Sequence, residues 1–302
     1  MAFSHIVSQM LVLTLLIVLG FYAGKRGIMD ENLNTRIAHL LINIAVSCMI
    51  LASVKEEVPF ADASSLLFVL AVFAVVNAMA PFIAWFFVRL LRIQKEKNLY
   101  QFMFSLTNAG FMGFPVIQSV FGNTAMTYAA IFLLPNNVLS YVYGIGLFQK
   151  QRQIDWKKIW NAPVICSVIA ILISLFHIKE PQILYQAMDM TGSMTTPLAM
   201  LIIGSSLASA NFGEMKKDRL LIPFVIVKMM LIPLFNYAVL RLFVRDAMLL
   251  TVCVMMTAMP VATNAVVFSS AYGGNLSLSS RCVFITSIVS VITIPVFALL
   301  FI

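Results

Sequence analysis

Apolar residues run along this chain in blocks of about twenty, separated by short clusters of charged and turn residues. The blocks cover residues 6–24, 33–54, 64–91, 98–121, 125–148, 158–176, 184–209, 219–243, 247–272 and 277–301. A helix of that length, rising 1.5 Å per residue, matches the roughly 30 Å hydrocarbon core of a bilayer. The blocks do not alternate polar and apolar at every second position, as the strands of a membrane barrel must. The pattern therefore predicts an all-α polytopic membrane protein with ten spans. No basic residue precedes the first block, and Lys25 and Arg26 follow it. That is the reverse of a secretory leader, so the first block is read as a retained span.

Two blocks carry helix breakers at mid-length. The fourth contains TNAGFMGFPV, residues 107–116, with Asn108, Gly110, Gly113 and Pro115 in close succession. The ninth contains MPVATNAVVF, residues 259–268, with Pro260, Thr263 and Asn264. Breaking a helix inside a bilayer frees backbone N–H and C=O groups, which persist only against protein or a polar cavity. The freed N–H groups at a half-helix start carry partial positive charge and suit a carboxylate. Asn side chains add further donors. The competing reading is that the glycines permit close packing, the prolines kink, and the amides bond between helices.

Composition supports the membrane reading. The chain is 61% apolar and 11% charged, with mean hydropathy +0.97, whereas soluble domains are about 25% charged. A pI near 9.4 does not indicate nucleic acid, because the basic residues are scattered among short loops. Fifteen Lys and Arg lie on one side of the ten spans and four on the other, and Lys228 lies inside a span. The excess marks the cytoplasmic face and puts both termini outside, across the cytoplasmic membrane. Cys48, Cys166, Cys253 and Cys282 all fall in apolar blocks without metal-ligand spacing and read as packing residues. No metal or other cofactor is expected.

A shift of 152 residues superimposes Pro81 on Pro233, Arg89-Leu90 on Arg241-Leu242 and Gly122-Asn123 on Gly274-Asn275. The offset is half the chain, so residues 1–150 and 151–302 read as two copies of a five-span unit. Five is odd, so the second copy inserts upside down. Inverted repeats are typical of secondary transporters, whose sites lie where interrupted spans of the two halves meet.

These residues bring out a resemblance. LGFYAGKRGIMDENLNTRIAHLLINIAV, TNAGFMGFPV, WNAPV, TTPLAMLIIGSSLA, KMMLIPL, AMPVATNAVVFSSAYGG and ITIPVF follow one another in the order of the auxin efflux carrier family. That family includes plant PIN carriers and bacterial permeases assigned to malate and malonate. The chain lacks the large central hydrophilic loop of plant members and resembles a compact bacterial type. The resemblance implies a bile acid/sodium symporter-like elevator fold and a homodimer. Its scaffold would comprise spans 1, 2, 6 and 7, and its transport domain spans 3–5 and 8–10. It also implies a small organic anion bound where broken helices 4 and 9 cross, and a polar contact from span 5.

Further candidates follow. Asn136 and Asn137, just after Pro135, point about 100° apart on a helix, so one of the two is expected to face the substrate. Asn43 and Ser47 share a face of span 2, and Thr195 and Thr196 lie near the equivalent place in span 7; both pairs fit either substrate contact or helix–helix bonding. Lys228 could attract an anion or a counter-charge, or snorkel to the cytoplasmic face. Asp189 and His39 lie near span ends. Neither broken helix holds an Asp or Glu, so ion coupling would fall to Lys228, Asp189 or His39, or be absent.

The leading expectation is a secondary transporter of a mono- or dicarboxylate. A membrane enzyme would need an intramembrane Asp pair, a Ser–His pair or a metal cluster, and His5, His39 and His177 lie far apart near span ends. A receptor or channel is the other alternative. A nucleotide-driven pump is disfavoured by the lack of a Walker-type loop.

Overall fold

The computed structural model describes residues 2–53, 63–148, 160–176, 178, 181–208 and 219–300. The first half contains α1 (Ala2–Lys25), α2 (Glu31–Leu40), α3 (Val46–Ala52), α4 (Ala63–Leu90), α5 (Lys97–Ser105), α6 (Phe114–Val138) and α7 (Ile145–Phe148). The second contains α8 (Ala162–Leu175), α9 (Gln182–Ser193), α10 (Thr195–Ala208), α11 (Leu221–Ile226), α12 (Ile232–Leu240), α13 (Ala247–Thr257), α14 (Asn264–Tyr272) and α15 (Leu276–Leu300). Each of the ten apolar blocks carries helix among the described residues. Five helical stretches there are long and apolar enough to cross a bilayer: Asn32–Ala52, Ser64–Leu90, Ala109–Phe148, Leu221–Leu240 and Leu276–Leu300. Large apolar side chains also face outward, Ile183 at 83% and Phe82 at 74% exposure. A lipid-facing surface accounts for that distribution and an aqueous one does not.

Local chemistry sets the element ends. Asp30 caps α2 by accepting the Leu33 N–H at 2.7 Å. Asp246 caps α13 through Met248 and Leu249, and its second oxygen accepts the Tyr128 hydroxyl at 2.8 Å. Gly122, with φ 79° and ψ −170°, breaks α6 at the point where the fourth and fifth blocks meet. α1 and α10 pack closely against each other. A methyl on Gly20 would overlap the Leu201 carbonyl, and one on Gly204 the Ile17 carbonyl.

Among the described residues, single π-helical turns occur at Leu41–Ala45, Ala109–Gly113, Leu139–Gly144 and Val227–Leu231. Such turns widen a helix by one residue and concentrate at functional sites.

Candidate functional site

The breaks predicted at TNAGFMGFPV and MPVATNAVVF are where the helices stop. α5 ends at Ser105 and the chain becomes extended at Leu106 (φ −107°, ψ 138°). Helix resumes only at Ala109, through a π turn into α6. In the ninth block α13 ends at Thr257 and α14 begins at Asn264. The two unwound segments lie against each other, with Thr107 and Val261 forming an antiparallel bridge. The Asn108 N–H donates to the Pro260 carbonyl at 2.8 Å, and the Ala262 N–H to the Leu106 carbonyl at 3.4 Å. The Val261 N–H donates to the Thr286 hydroxyl at 3.2 Å. Each break thus satisfies groups that the other exposes, as unwound backbone at membrane depth requires.

A cavity of about 120 Å³ opens beside this crossing. Its walls come from both breaks (Leu106–Phe111 and Ala262–Asn264), from α6 and the π turn after it (Leu133, Asn136, Asn137, Ser140, Tyr141), and from Ile42, Val46, Asn161 and Pro163. Six of the sequence candidates meet here: Asn108, Gly110, Asn136, Asn137, Thr263 and Asn264. Both members of the Asn136–Asn137 pair line the space, because the cavity wraps around the end of α6.

The amides are not equivalent. Asn264 donates to the Ser140 hydroxyl at 3.1 Å. Asn161 caps α8 by accepting the Val164 N–H at 3.2 Å, and reaches Asn137 Oδ1 at 3.4 Å. Asn137 Nδ2 is buried with no hydrogen-bond partner among the described residues. Two N–H bonds therefore stand ready for an acceptor that enters the cavity. The amides that begin the second half-helices, at Ala109–Phe111 and Asn264, also adjoin it, and helix starts leave such donors unpaired and positive. Among the described residues, no Asp or Glu lines the space.

The glycines divide their roles. A Cβ on Gly110 would meet nothing within 4 Å, so this glycine leaves the cavity open. A Cβ on Gly113 would lie 2.8 Å from the Met256 sulfur, so this one lets α13 approach. Pro115 is buried in the first turn of α6, where a missing N–H is harmless. Pro260 contributes its carbonyl to the crossing.

Other candidates lie outside the cavity walls. Asn43 is exposed and its amide returns to the His39 carbonyl at 2.8 Å. Ser47 and Thr195 are buried, and Thr196 is half-buried. His39 and Asp189 are exposed. Lys228 is fully buried. Its ammonium donates to the Phe104 and Leu106 carbonyls at 3.1 and 2.9 Å, capping the end of α5. Residues not anticipated include Asn161, Ser140 and Tyr141. A cue existed for Asn161, an Asn two residues before Pro163 at a helix start, and for Ser140, one turn beyond Asn136.

An all-helical fold among the described residues, with long apolar stretches and two helices interrupted beside a cavity, is that of a polytopic membrane protein. The comparisons specify it further. The family model described as "Membrane transport protein" matches residues 5–155 and 151–298, and the chain belongs to this family of membrane transporters, the auxin efflux carrier family. It is 19% identical over 303 residues to an uncharacterized transporter of Methanothermobacter thermautotrophicus, with 99% of each chain covered. It is 23% identical to an uncharacterized transporter of Methanocaldococcus jannaschii, covering 94% of this chain and 95% of that one. It is 22% identical to the uncharacterized transporter YfdV of Escherichia coli, over 69% and 71% of the two chains.

Proposed function

We propose that this membrane transporter is a secondary carrier of a small organic anion, a mono- or dicarboxylate, and that the cavity at the crossing is its binding site. The observation that carries this reading is the donor set. Among the described residues, Asn137 presents an unpartnered buried amide, two half-helix starts present positive dipole ends, and no carboxylate opposes them. A volume near 120 Å³ is well below the roughly 300 Å³ at which drug-sized pockets begin and suits a compact acid.

In this reading ten spans form two inverted five-helix repeats, residues 1–150 and 151–302. Spans 1, 2, 6 and 7 make a scaffold. Spans 3–5 and 8–10 make a transport domain that carries the crossing from one face of the cytoplasmic membrane to the other in an elevator motion. Both termini lie outside, and the carrier is a homodimer. With the cell interior negative, export of the anion is favoured by about 2.3 kcal/mol per charge per 100 mV.

The test is flux of labelled organic acids into proteoliposomes, after a thermal-shift screen of the purified protein against a panel of such acids. Wild-type protein should give saturable flux, and Asn108→Ala and Asn264→Ala should each reduce it at least tenfold. Undiminished flux in both variants overturns the assignment of the crossing as the site.

A further inference from the structure

The walls of the cavity at the crossing differ in origin. Most come from spans 4, 5 and 9, which carry Asn108, Asn137 and Asn264. Ile42 and Val46 of span 2, and Asn161 and Pro163 of span 6, come from outside those three. Ile42 and Val46 offer hydrocarbon, and Pro163 has no N–H to give. Among the described residues, Asn161 is therefore the one polar side chain that this other part of the chain turns into the wall.

Its hydrogen bonds fix which way its amide faces. The Asn161 side-chain oxygen accepts the Val164 N–H at 3.2 Å, and its backbone carbonyl accepts the Ile165 N–H at 3.0 Å, so the residue caps the start of α8. With the oxygen committed to the cap, the side-chain N–H bonds are left for groups outside the helix. The amide reaches Asn137 Oδ1, at a long 3.4 Å. Asn137 is only 8% exposed, and its own Nδ2 has no partner among the described residues. Two amides thus adjoin on the cavity wall with a weak contact between them. A carboxylate is a far better acceptor than that contact provides. We infer that Asn161 is the group through which span 6 grips the bound acid, and that it does so only in the conformation seen here.

This inference rests on the carrier reading above, in which spans 4, 5 and 9 travel and span 6 stays. Asn108, Asn137 and Asn264 then move with the acid, and Asn161 is left behind. The excess of Lys and Arg puts the start of span 6 at the cytoplasmic face, so Asn161 belongs to the cytoplasmic end of the travel. The acid is held more tightly there than at the other end, by one hydrogen bond to a charged acceptor. A ligand shifts a protein toward the conformation that binds it better, so the same bond biases the loaded carrier toward the cytoplasmic side. Asn161 is in this sense a positioning residue that sets sidedness. Its removal changes the affinity met from one face of the membrane and not the other.

The test is uptake into membrane vesicles of both orientations, prepared from expressing cells, with radiolabelled malonate as the dicarboxylate probe and pyruvate as the monocarboxylate probe. Ser caps a helix about as well as Asn but carries no amide, so Asn161→Ser separates the cap from the grip. Asn161→Asp keeps the cap and replaces the donors with an acceptor. Both variants should unfold at the wild-type temperature in detergent. The half-saturating concentration from the cytoplasmic face should rise at least about tenfold in Asn161→Ser, as loss of one hydrogen bond to a charged group requires, and further in Asn161→Asp. From the opposite face it should keep the wild-type value in both. A merely structural loss would raise it on both faces alike. An equal rise on both faces, or none on either, overturns the inference and leaves the carrier reading standing. Saturable flux of neither probe by the wild type overturns that reading and this inference with it.

Discussion

Asn137→Leu should move affinity and stability in opposite directions. Among the described residues Asn137 Nδ2 is buried without a partner, while its oxygen accepts a long 3.4 Å contact from Asn161. An orphaned buried amide costs about 1–3 kcal/mol, and an isosteric apolar group removes that cost. The 3.4 Å contact lies beyond the usual range and returns little. The empty variant should therefore be more stable than wild type by about 1–3 kcal/mol, visible as a raised midpoint of thermal unfolding in detergent. Once a carboxylate enters, the same amide becomes a donor to a charged acceptor, a bond contributing about 1.5–3 kcal/mol. At 1.4 kcal/mol per tenfold, its loss should weaken binding by about 10- to 100-fold. The assay is titration of wild type and variant with the acid that stabilises the wild type most, read by thermal shift and by calorimetry. Wild-type affinity in Asn137→Leu, or a less stable empty protein, would refute the reasoning.

Three further outcomes are expected. Lys228→Met relieves a buried charge but orphans the Phe104 and Leu106 carbonyls, two opposing effects of a few kcal/mol each. The unfolding midpoint should change little, while acid binding falls about tenfold as the Leu106 wall loosens; unchanged binding by calorimetry counts against the cap. Gly204→Val places a branched side chain on the Ile17 backbone, and overpacking of that severity costs about 3 kcal/mol or more, so size-exclusion profiles should show loss of monodisperse protein. At Gly122, φ 79° and ψ −170° is a region essentially confined to glycine. Gly122→Ala should therefore lower stability by about 1–3 kcal/mol in thermal unfolding, even though a Cβ there would meet nothing within 4 Å.

Much of the molecule was legible in the chain itself. Twenty-residue apolar blocks announce membrane helices because lipid offers no partner for exposed backbone, and Asn108, Gly110, Thr263 and Asn264 announce the interruptions because they are poor choices for a lipid-facing helix. Those are local properties, set by composition and spacing. Tertiary structure decided which polar groups face one another. Spacing along a helix separates Asn136 and Asn137, yet both reach the cavity because it wraps around the end of α6. Asn161 enters from a helix 24 residues further along the chain. Lys228 looked free to reach for a headgroup or a substrate. Packing against α5 hands it two carbonyls instead, 122 and 124 residues away. Each helix end is written in the sequence, but the two breaks face each other only once they meet at Thr107 and Val261.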